Sequence, residues 1–158
     1  MDEFDVYIEM VAGSDIKHVF DEKQGKLVVH RKTALPLPEP FNYGFIKGTM
    51  SGDGDPLDVF VISNRKLNLG SSAKIRPIGM LYVVDEMGQD NKVIAVDASD
   101  DSLNDINDID EIDPRLMQSI EYLLEHNKDG MEGRWTKVSS KTGKKAAIDE
   151  IMSASALE

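Results

Sequence analysis

An acidic loop that runs directly into an apolar strand constrains this chain more than any other feature. Asp53, Asp55 and Asp58 fall within six residues, and Pro56 lies between the second and the third. Alternate side chains of an extended backbone share a face, so Asp53 and Asp55 point the same way, and the bend at Pro56 can turn Asp58 back toward them. Three carboxylates this close repel one another unless they are solvated, protonated or bound to cations.

Two interpretations of this loop remain open from its residues alone. A hard divalent cation such as Mg²⁺ suits clustered carboxylates, because it takes oxygen ligands and keeps several waters. Asp and Gly are also ordinary turn residues, so a solvated polar turn fits equally well. An EF-hand is excluded, because counting from Asp53 places Leu57 where that motif needs an oxygen ligand and Asp58 where it needs glycine.

Length and composition predict one domain, 1–158, with a substantial apolar core, since 41% of the 158 residues are hydrophobic. A net charge of −11 argues against nucleic acid or an anionic membrane as a partner. The absence of cysteine excludes disulfides, thiol catalysis and cysteine-bound zinc. The N-terminus has no apolar signal segment and no apolar run reaches membrane-spanning length, so we expect a cytoplasmic protein.

Predicted strands dominate the first part of the chain, and predicted helices come late. The pattern of apolar residues and turn residues predicts strands over 6–10, 16–20, 26–31, 42–46, 59–62, 74–84, 92–96 and 134–138, and helices over 113–127 and 141–152. This order predicts an α+β fold, in which a small, closed antiparallel sheet is flanked by two helices. We interpret the segment 97–113, which has eight acidic and no basic residues, as a solvated loop pinned by its isoleucines.

A second acidic turn, 85–90, follows the long predicted strand 74–84. If both acidic turns belong to strands of one sheet, they can meet at the same rim. The three histidines share no ligand spacing, which excludes a zinc hydrolase of the H-E-x-x-H type.

The run Asp-Gly-Asp-Pro-Leu-Asp-Val at 53–59 resembles the signature of the soluble family I inorganic pyrophosphatases. The order and spacing of further segments agree from about residue 6 to the last helix. These segments are Tyr7-Ile8-Glu9, Ile16-Lys17, Asn42-Tyr43-Gly44, Arg76-Pro77-Ile78-Gly79, Asp85-Glu86 with Asp90 and Lys92, and His126-Asn127-Lys128-Asp129.

The resemblance implies a single pyrophosphatase-like domain built on a five-stranded OB-like antiparallel β-barrel flanked by two α-helices. It implies a homohexamer, as is usual for the short bacterial members. The implied reaction is hydrolysis of pyrophosphate to two phosphates by a metal-bridged water, with three to four Mg²⁺ per active site.

The resemblance also implies a set of metal ligands. Asp53, Asp58 and Asp90 would hold the tightest ion, and Asp58 would bridge to a second. Asp85 and Asp90 would hold a third ion, which arrives with the substrate. Glu9 would contribute to the metal shell through water.

By the same resemblance, Asp55 would take the proton from the attacking water, with Tyr43 beside the reacting groups. The implied substrate-binding residues are Lys17, Arg31, Tyr43, Lys92 and Lys128. Positioned cations and a carboxylate base are the groups that phosphoryl transfer requires.

Four residues depart from the family pattern. Val19 and His30 stand where it has glutamate and aspartate, and Glu39 and Asn127 stand where it has tyrosines. We expect Glu39 to place a negative charge near phosphate, and we expect weaker substrate affinity or a higher Mg²⁺ requirement. Two alternatives stay open: a degenerate, non-catalytic member of the fold that binds metal or phosphate, and an enzyme acting on a short polyphosphate or a nucleotide.

Overall fold

A strand-rich sheet with two helices forms the protein, in a computed structural model that describes residues 2–52 and 54–156. The strands are β1 (Phe4–Met10), β2 (Ile16–Asp21), β3 (Lys26–Lys32), β4 (Phe41–Ile46), β5 (Asp58–Ile62), β6 (Ser72–Asp85), β7 (Gly88–Gln89), β8 (Lys92–Asp97) and β9 (Thr136–Gly143). The helices are α1 (Pro114–His126) and α2 (Lys144–Ala156). Two short 3-10 helices, Asp101–Leu103 and Ile109–Glu111, lie between β8 and α1.

Five strands close into a ring in the order β1, β4, β5, β8, β6 and back to β1. This ring confirms the expected five-stranded, OB-like barrel flanked by two helices. One pairing differs from the prediction, because β5 and β8 run parallel while the other four pairings are antiparallel. β8 pairs antiparallel with β6, and β5 occupies its other edge in the same direction, so the barrel is mixed.

Alternating side chains of the barrel strands feed two apolar cores. Val59 and Val61 of β5 pack into the core that includes α2, whereas Phe60 and Ile62 pack into the core that includes α1. Every residue of β8 is buried, as expected for a strand covered on both faces. The rim of the barrel at the start of β5 and β8 is therefore supported by tightly packed apolar side chains.

Helix α1 begins where the sequence predicts. The Asp113 carboxylate accepts a hydrogen bond from the Arg115 N–H at 2.9 Å, and Pro114 takes the first helical position. The helix buries the predicted apolar stripe, whose central members are Met117, Ile120, Leu123 and Leu124. None of the helices in the described part of the chain is both long and apolar enough to span a membrane.

Two predicted boundaries near the C-terminus are wrong. The predicted strand 134–138 corresponds to β9, which continues to Gly143 and pairs with β6. In this pairing Lys141 lies opposite Leu81, and Gly143 lies opposite Gly79. The last helix therefore begins at Lys144 instead of Lys141. Long-range pairing with β6 overrides the local preference for helix in this segment.

The interpretation of 97–113 as a solvated loop is only partly correct. Its isoleucines do hold it to the core, but Asp97 is completely buried. The Asp97 carboxylate accepts hydrogen bonds from the Ser63 hydroxyl at 2.8 Å and from Nε of Arg65 at 2.5 Å. A buried carboxylate is tolerated when it is paired and hydrogen-bonded in this way.

We expect Gly79→Ala to destabilise the fold by about 1–3 kcal/mol, the usual cost of overpacking. An added Cβ at Gly79 would lie 2.6 Å from the Thr142 carbonyl oxygen and 2.8 Å from Ile109. Urea denaturation measures the change. Gly52→Ala is the control, because nothing lies within 4 Å of its added Cβ. Equal midpoints for the two variants would contradict the tight packing of β9 and Ile109 on β6.

Candidate active site

The two acidic turns meet at one rim of the barrel through the parallel pairing of β5 and β8. Asp58 lies directly opposite Lys92 in this register, and Asp90 precedes Lys92 by two residues. Nζ of Lys92 lies 2.6 Å from Oδ2 of Asp58 and 2.9 Å from Oδ2 of Asp90. The expectation that the acidic turns share a rim is confirmed.

The Lys92 ammonium is buried between its two carboxylates. Its side chain is 9% exposed, whereas those of Asp58 and Asp90 are 23% and 35% exposed. Burial by itself lowers the pKa of Lys92, but Tyr43, Asp58 and Asp90 outweigh burial and raise this pKa well above its usual value. Lys92 is therefore charged at any physiological pH.

Two ammonium groups lie near the ring of Tyr43. Nζ of Lys17 and Nζ of Lys92 are each 5.7 Å from the centre of its ring. Burial, followed by the charge of Asp58, raises the pKa of the Tyr43 hydroxyl well above its usual value, so the phenol keeps its proton as a hydrogen-bond donor. Burial, followed by the charge of Lys92, lowers the pKa of Lys17. Arg31 lies opposite Lys17 in the β2–β3 hairpin.

A cavity of about 400 Å³ opens over this rim. Its charged and phenolic lining residues are Glu9, Lys17, Glu22, Tyr43, Asp55, Asp58, Asp90 and Lys92. Glu9 is 8% exposed, and its Oε2 accepts a hydrogen bond from the Phe20 N–H at 3.1 Å. Burial, which outweighs that hydrogen bond, raises the pKa of Glu9.

A second, smaller cavity of about 90 Å³ shares Lys17, Tyr43, Asp90 and Lys92 with the first. It adds the other predicted site residues, Arg31, Asp85 and Lys128. Nζ of Lys128 lies 3.3 Å from Oδ2 of Asp85 and 3.2 Å from Oε1 of Glu86. The two cavities together are lined by all of the predicted site residues except Asp53, which lies outside the described residues.

The predicted metal ligands offer oxygen donors, as Mg²⁺ requires. Within the described ranges 2–52 and 54–156, no three acidic or histidine side chains converge as a ready-made metal site. Asp58 and Asp90 instead share the Lys92 ammonium. Because the Asp58 and Asp90 carboxylates already hold one cation, the Lys92 ammonium, their chemistry also suits a bound metal cation.

The departures from the family pattern fall in different places. Val19 and His30 line the larger cavity, and Asn127 lines the smaller one. Burial and the neighbouring Lys17, Arg31 and Arg134 lower the pKa of His30, which favours the neutral imidazole at a position where the family pattern has a negatively charged aspartate.

The expectation for Glu39 is wrong. Glu39 is not among the residues that line the two cavities described above, and it lines another cavity together with Arg65 and Lys66. Glu39 lies in the loop between Pro38 and Pro40, and this loop has no helical or strand periodicity from which the direction of the side chain could be predicted.

Sequence reasoning gave Glu86 no role, and the structure places it at the centre of a network. Its carboxylate holds Lys128, lies 3.7 Å from Nε of Arg134 and accepts a hydrogen bond from the Trp135 N–H at 2.9 Å. The Trp135 hydrogen bond, followed by the contact with Lys128, lowers the pKa of Glu86. The only feature of the sequence that could have pointed to a role for Glu86 is its position next to Asp85.

Comparisons with known proteins agree with this geometry. The family model described as inorganic pyrophosphatase matches residues 6–157. A relative from Sulfolobus acidocaldarius, named inorganic pyrophosphatase, is 42% identical over 140 residues, which are 87% of this chain and 81% of the relative. One from Aquifex pyrophilus, with the same name, is 40% identical over 148 residues, 92% of this chain and 84% of the relative. The crystal structure of inorganic pyrophosphatase from Thermus thermophilus is similar, with a TM-score of 0.93, 34% identity and coverage of 99% of this chain and 91% of that chain.

We expect Glu86→Ala to loosen the segment from Lys128 to Trp135. The Trp135 N–H loses a charged acceptor, and hydrogen bonds to charged groups are stronger than those between neutral groups. Amide hydrogen exchange at Trp135 should accelerate by roughly 10- to 100-fold. Glu132→Ala removes the same charge from an exposed position in the same segment and serves as the control. Equal exchange in both variants would show that Glu86 does not organise this segment.

Proposed function

This chain belongs to the inorganic pyrophosphatase family, and from that premise we propose that it hydrolyses pyrophosphate to two phosphates with the help of Mg²⁺. The observation that carries the proposal is the larger cavity, which brings Asp55, Asp58 and Asp90 together with Lys17 and Lys92. Carboxylates on one side and ammonium groups on the other suit an anion that binds together with metal cations.

The overall charge of −11 opposes the approach of a polyanion, so the site must reverse the local field. We propose that Asp53, Asp58, Asp85 and Asp90, with Glu9 through water, hold three to four Mg²⁺ ions. Bound Mg²⁺ neutralises phosphate charge and lowers the pKa of a coordinated water.

Asp55 is the proposed general base. Its position on the larger cavity, beside Asp58, lets it accept a proton from a water that attacks phosphorus. The Glu9 carboxylate accepts a hydrogen bond from the Phe20 N–H, which ties it to the hairpin and suits a supporting role. Tyr43 stays protonated and can donate a hydrogen bond to a phosphate oxygen.

The basic residues are proposed to grip the phosphate groups. Lys17 and Arg31 enter from the β2–β3 hairpin, and Lys128 enters from the end of α1. Charge-assisted hydrogen bonds from several cations distribute the negative charge that develops in phosphoryl transfer.

We further propose a cytoplasmic homohexamer whose partner is pyrophosphate and not nucleic acid or a membrane. The hexamer rests on the family resemblance. Tyr122 and His126 on α1 stack with ring centres 4.2 Å apart, and Tyr122 is 58% exposed, so this pair is a candidate contact between subunits.

Phosphate release from pyrophosphate tests the reaction. We expect rapid, Mg²⁺-dependent release by the wild type and a loss of about 10²- to 10⁴-fold in Asp55→Asn, the usual contribution of a general base. Asp105→Asn, an exposed change in the acidic segment, should retain full activity. Tripolyphosphate and ATP, assayed in parallel, test the alternative substrates.

Absence of release from folded wild type at every Mg²⁺ concentration would contradict the proposal and favour the non-catalytic alternative. Full activity in Asp55→Asn would contradict only the assignment of the base.

Restoring the missing carboxylate at Val19 tests the effect of the departures. Val19→Glu adds an oxygen donor to the larger cavity, so we expect the Mg²⁺ concentration for half-maximal activity to fall about several-fold. His30→Asp is a second variant with the same expectation.

Val29→Glu is the matched control, because Val29 lies in the same hairpin and is 66% exposed. Coincident Mg²⁺ titration curves for Val19→Glu and Val29→Glu would contradict the hypothesis that the missing glutamate raises the Mg²⁺ requirement.

A further inference from the structure

The Lys92 ammonium occupies the position between two of the carboxylates assigned to metal. Its contact of 2.6 Å with Asp58 is short for a hydrogen bond, and its contact of 2.9 Å with Asp90 lies in the range of charge-assisted hydrogen bonds. The ammonium is almost fully buried, so little water shares the position. In this arrangement the chain itself supplies the cation that the two carboxylates need.

A metal ion and Lys92 would compete for the same oxygen atoms. Oδ2 of Asp58 and Oδ2 of Asp90 both face the ammonium, and binding of a divalent cation by these oxygens requires them to give up at least part of that contact. The ammonium already borders the smaller cavity, which Lys92 also lines, and its Nζ lies 5.7 Å from the centre of the Tyr43 ring, so a small movement away from the carboxylates would keep it inside the site.

We propose that Lys92 is a built-in counter-ion that Mg²⁺ displaces from Asp58 and Asp90, and that the displaced ammonium then serves the phosphate side of the site. The inference rests on the proposed metal site and adds a coupling to it. Mg²⁺ binding brings its own charge and also frees a cation of the protein for the substrate. In the absence of metal, the same lysine stabilises two carboxylates that would otherwise repel each other.

Mg²⁺ binding to metal-free protein, measured by isothermal titration calorimetry without substrate, tests the proposal. We expect Lys92→Gln to lower the Kd for Mg²⁺ by about tenfold or more, a typical coupling between two ligands of one site. We also expect a lower Tm without metal and a larger rise in Tm on Mg²⁺ addition than in the wild type.

Two controls separate displacement from a general change of charge. Lys17→Gln removes the same charge from the same cavity, and the hydrogen-bond partners of Asp58 and Asp90 described above do not include Lys17. Lys145→Gln removes a lysine whose exposed ion pair with Asp149 lies on α2. Displacement predicts an effect of Lys92→Gln that clearly exceeds both controls.

Equal tightening in Lys92→Gln and Lys17→Gln would overturn the proposal, because charge alone would then explain the result. Unchanged or weaker Mg²⁺ binding in Lys92→Gln would overturn it as well. If the wild type itself binds no Mg²⁺, both the proposed metal site and this inference fail, whereas the other two outcomes leave the metal site intact.

A measurement on the wild type keeps the test independent of how well Lys92→Gln folds. The NMR signal of the Lys92 ammonium, assigned by its loss in Lys92→Arg, should change its chemical shift as Mg²⁺ saturates the protein. A signal that stays unchanged through saturation would overturn the displacement.

Discussion

The parallel pairing of β5 with β8 determines where the charges of this molecule meet. It sets Asp58 opposite Lys92 and brings Asp90 to the same rim, although Asp58 is more than thirty positions away from both in sequence. An antiparallel arrangement of the same two strands would send their first residues to opposite ends of the barrel. The candidate site therefore depends on a single backbone pairing that the complete burial of β8 holds in place.

The cations on the other side of the site come from a less buried element. The β2–β3 hairpin forms a separate two-stranded sheet, and it carries Lys17 and Arg31. Glu9 connects this hairpin to the barrel, because its carboxylate accepts the hydrogen bond of the Phe20 N–H. A carboxylate at this position has a structural function whether or not it also contributes to a metal shell. The pKa of Glu9 is raised mainly by burial, which reflects its location between the two sheets.

Local patterns were sufficient to predict much of the fold and little of its long-range pairing. Helix α1 is predicted by the adjacent Asp113 and Pro114 and by a stripe of apolar residues at helical spacing. All of these features lie within one segment of sequence. The parallel partner of β5, the extension of β9 and the burial of Asp97 each depend on residues far along the chain. Periodicity contains no information about such partners. Glu39 shows the same limit within the site, since a position known only from a family pattern did not reveal which cavity its side chain lines.

The distribution of charge supports the proposal that so acidic a protein binds a polyanion together with metal ions. Lys92 is shared by Asp58 and Asp90, and Lys128 is shared by Asp85 and Glu86. In the first group two carboxylates outweigh one ammonium, so Lys92 presents no net positive field to an approaching phosphate, whereas Arg134 adds a second cation to the other group. A divalent cation added to the first group reverses its sign from −1 to about +1, a change that no rearrangement of the side chains alone can produce. Under the proposed metal site, affinity for the anion is linked to metal by charge balance, and the lysines would become available to phosphate as their carboxylates acquire metal partners.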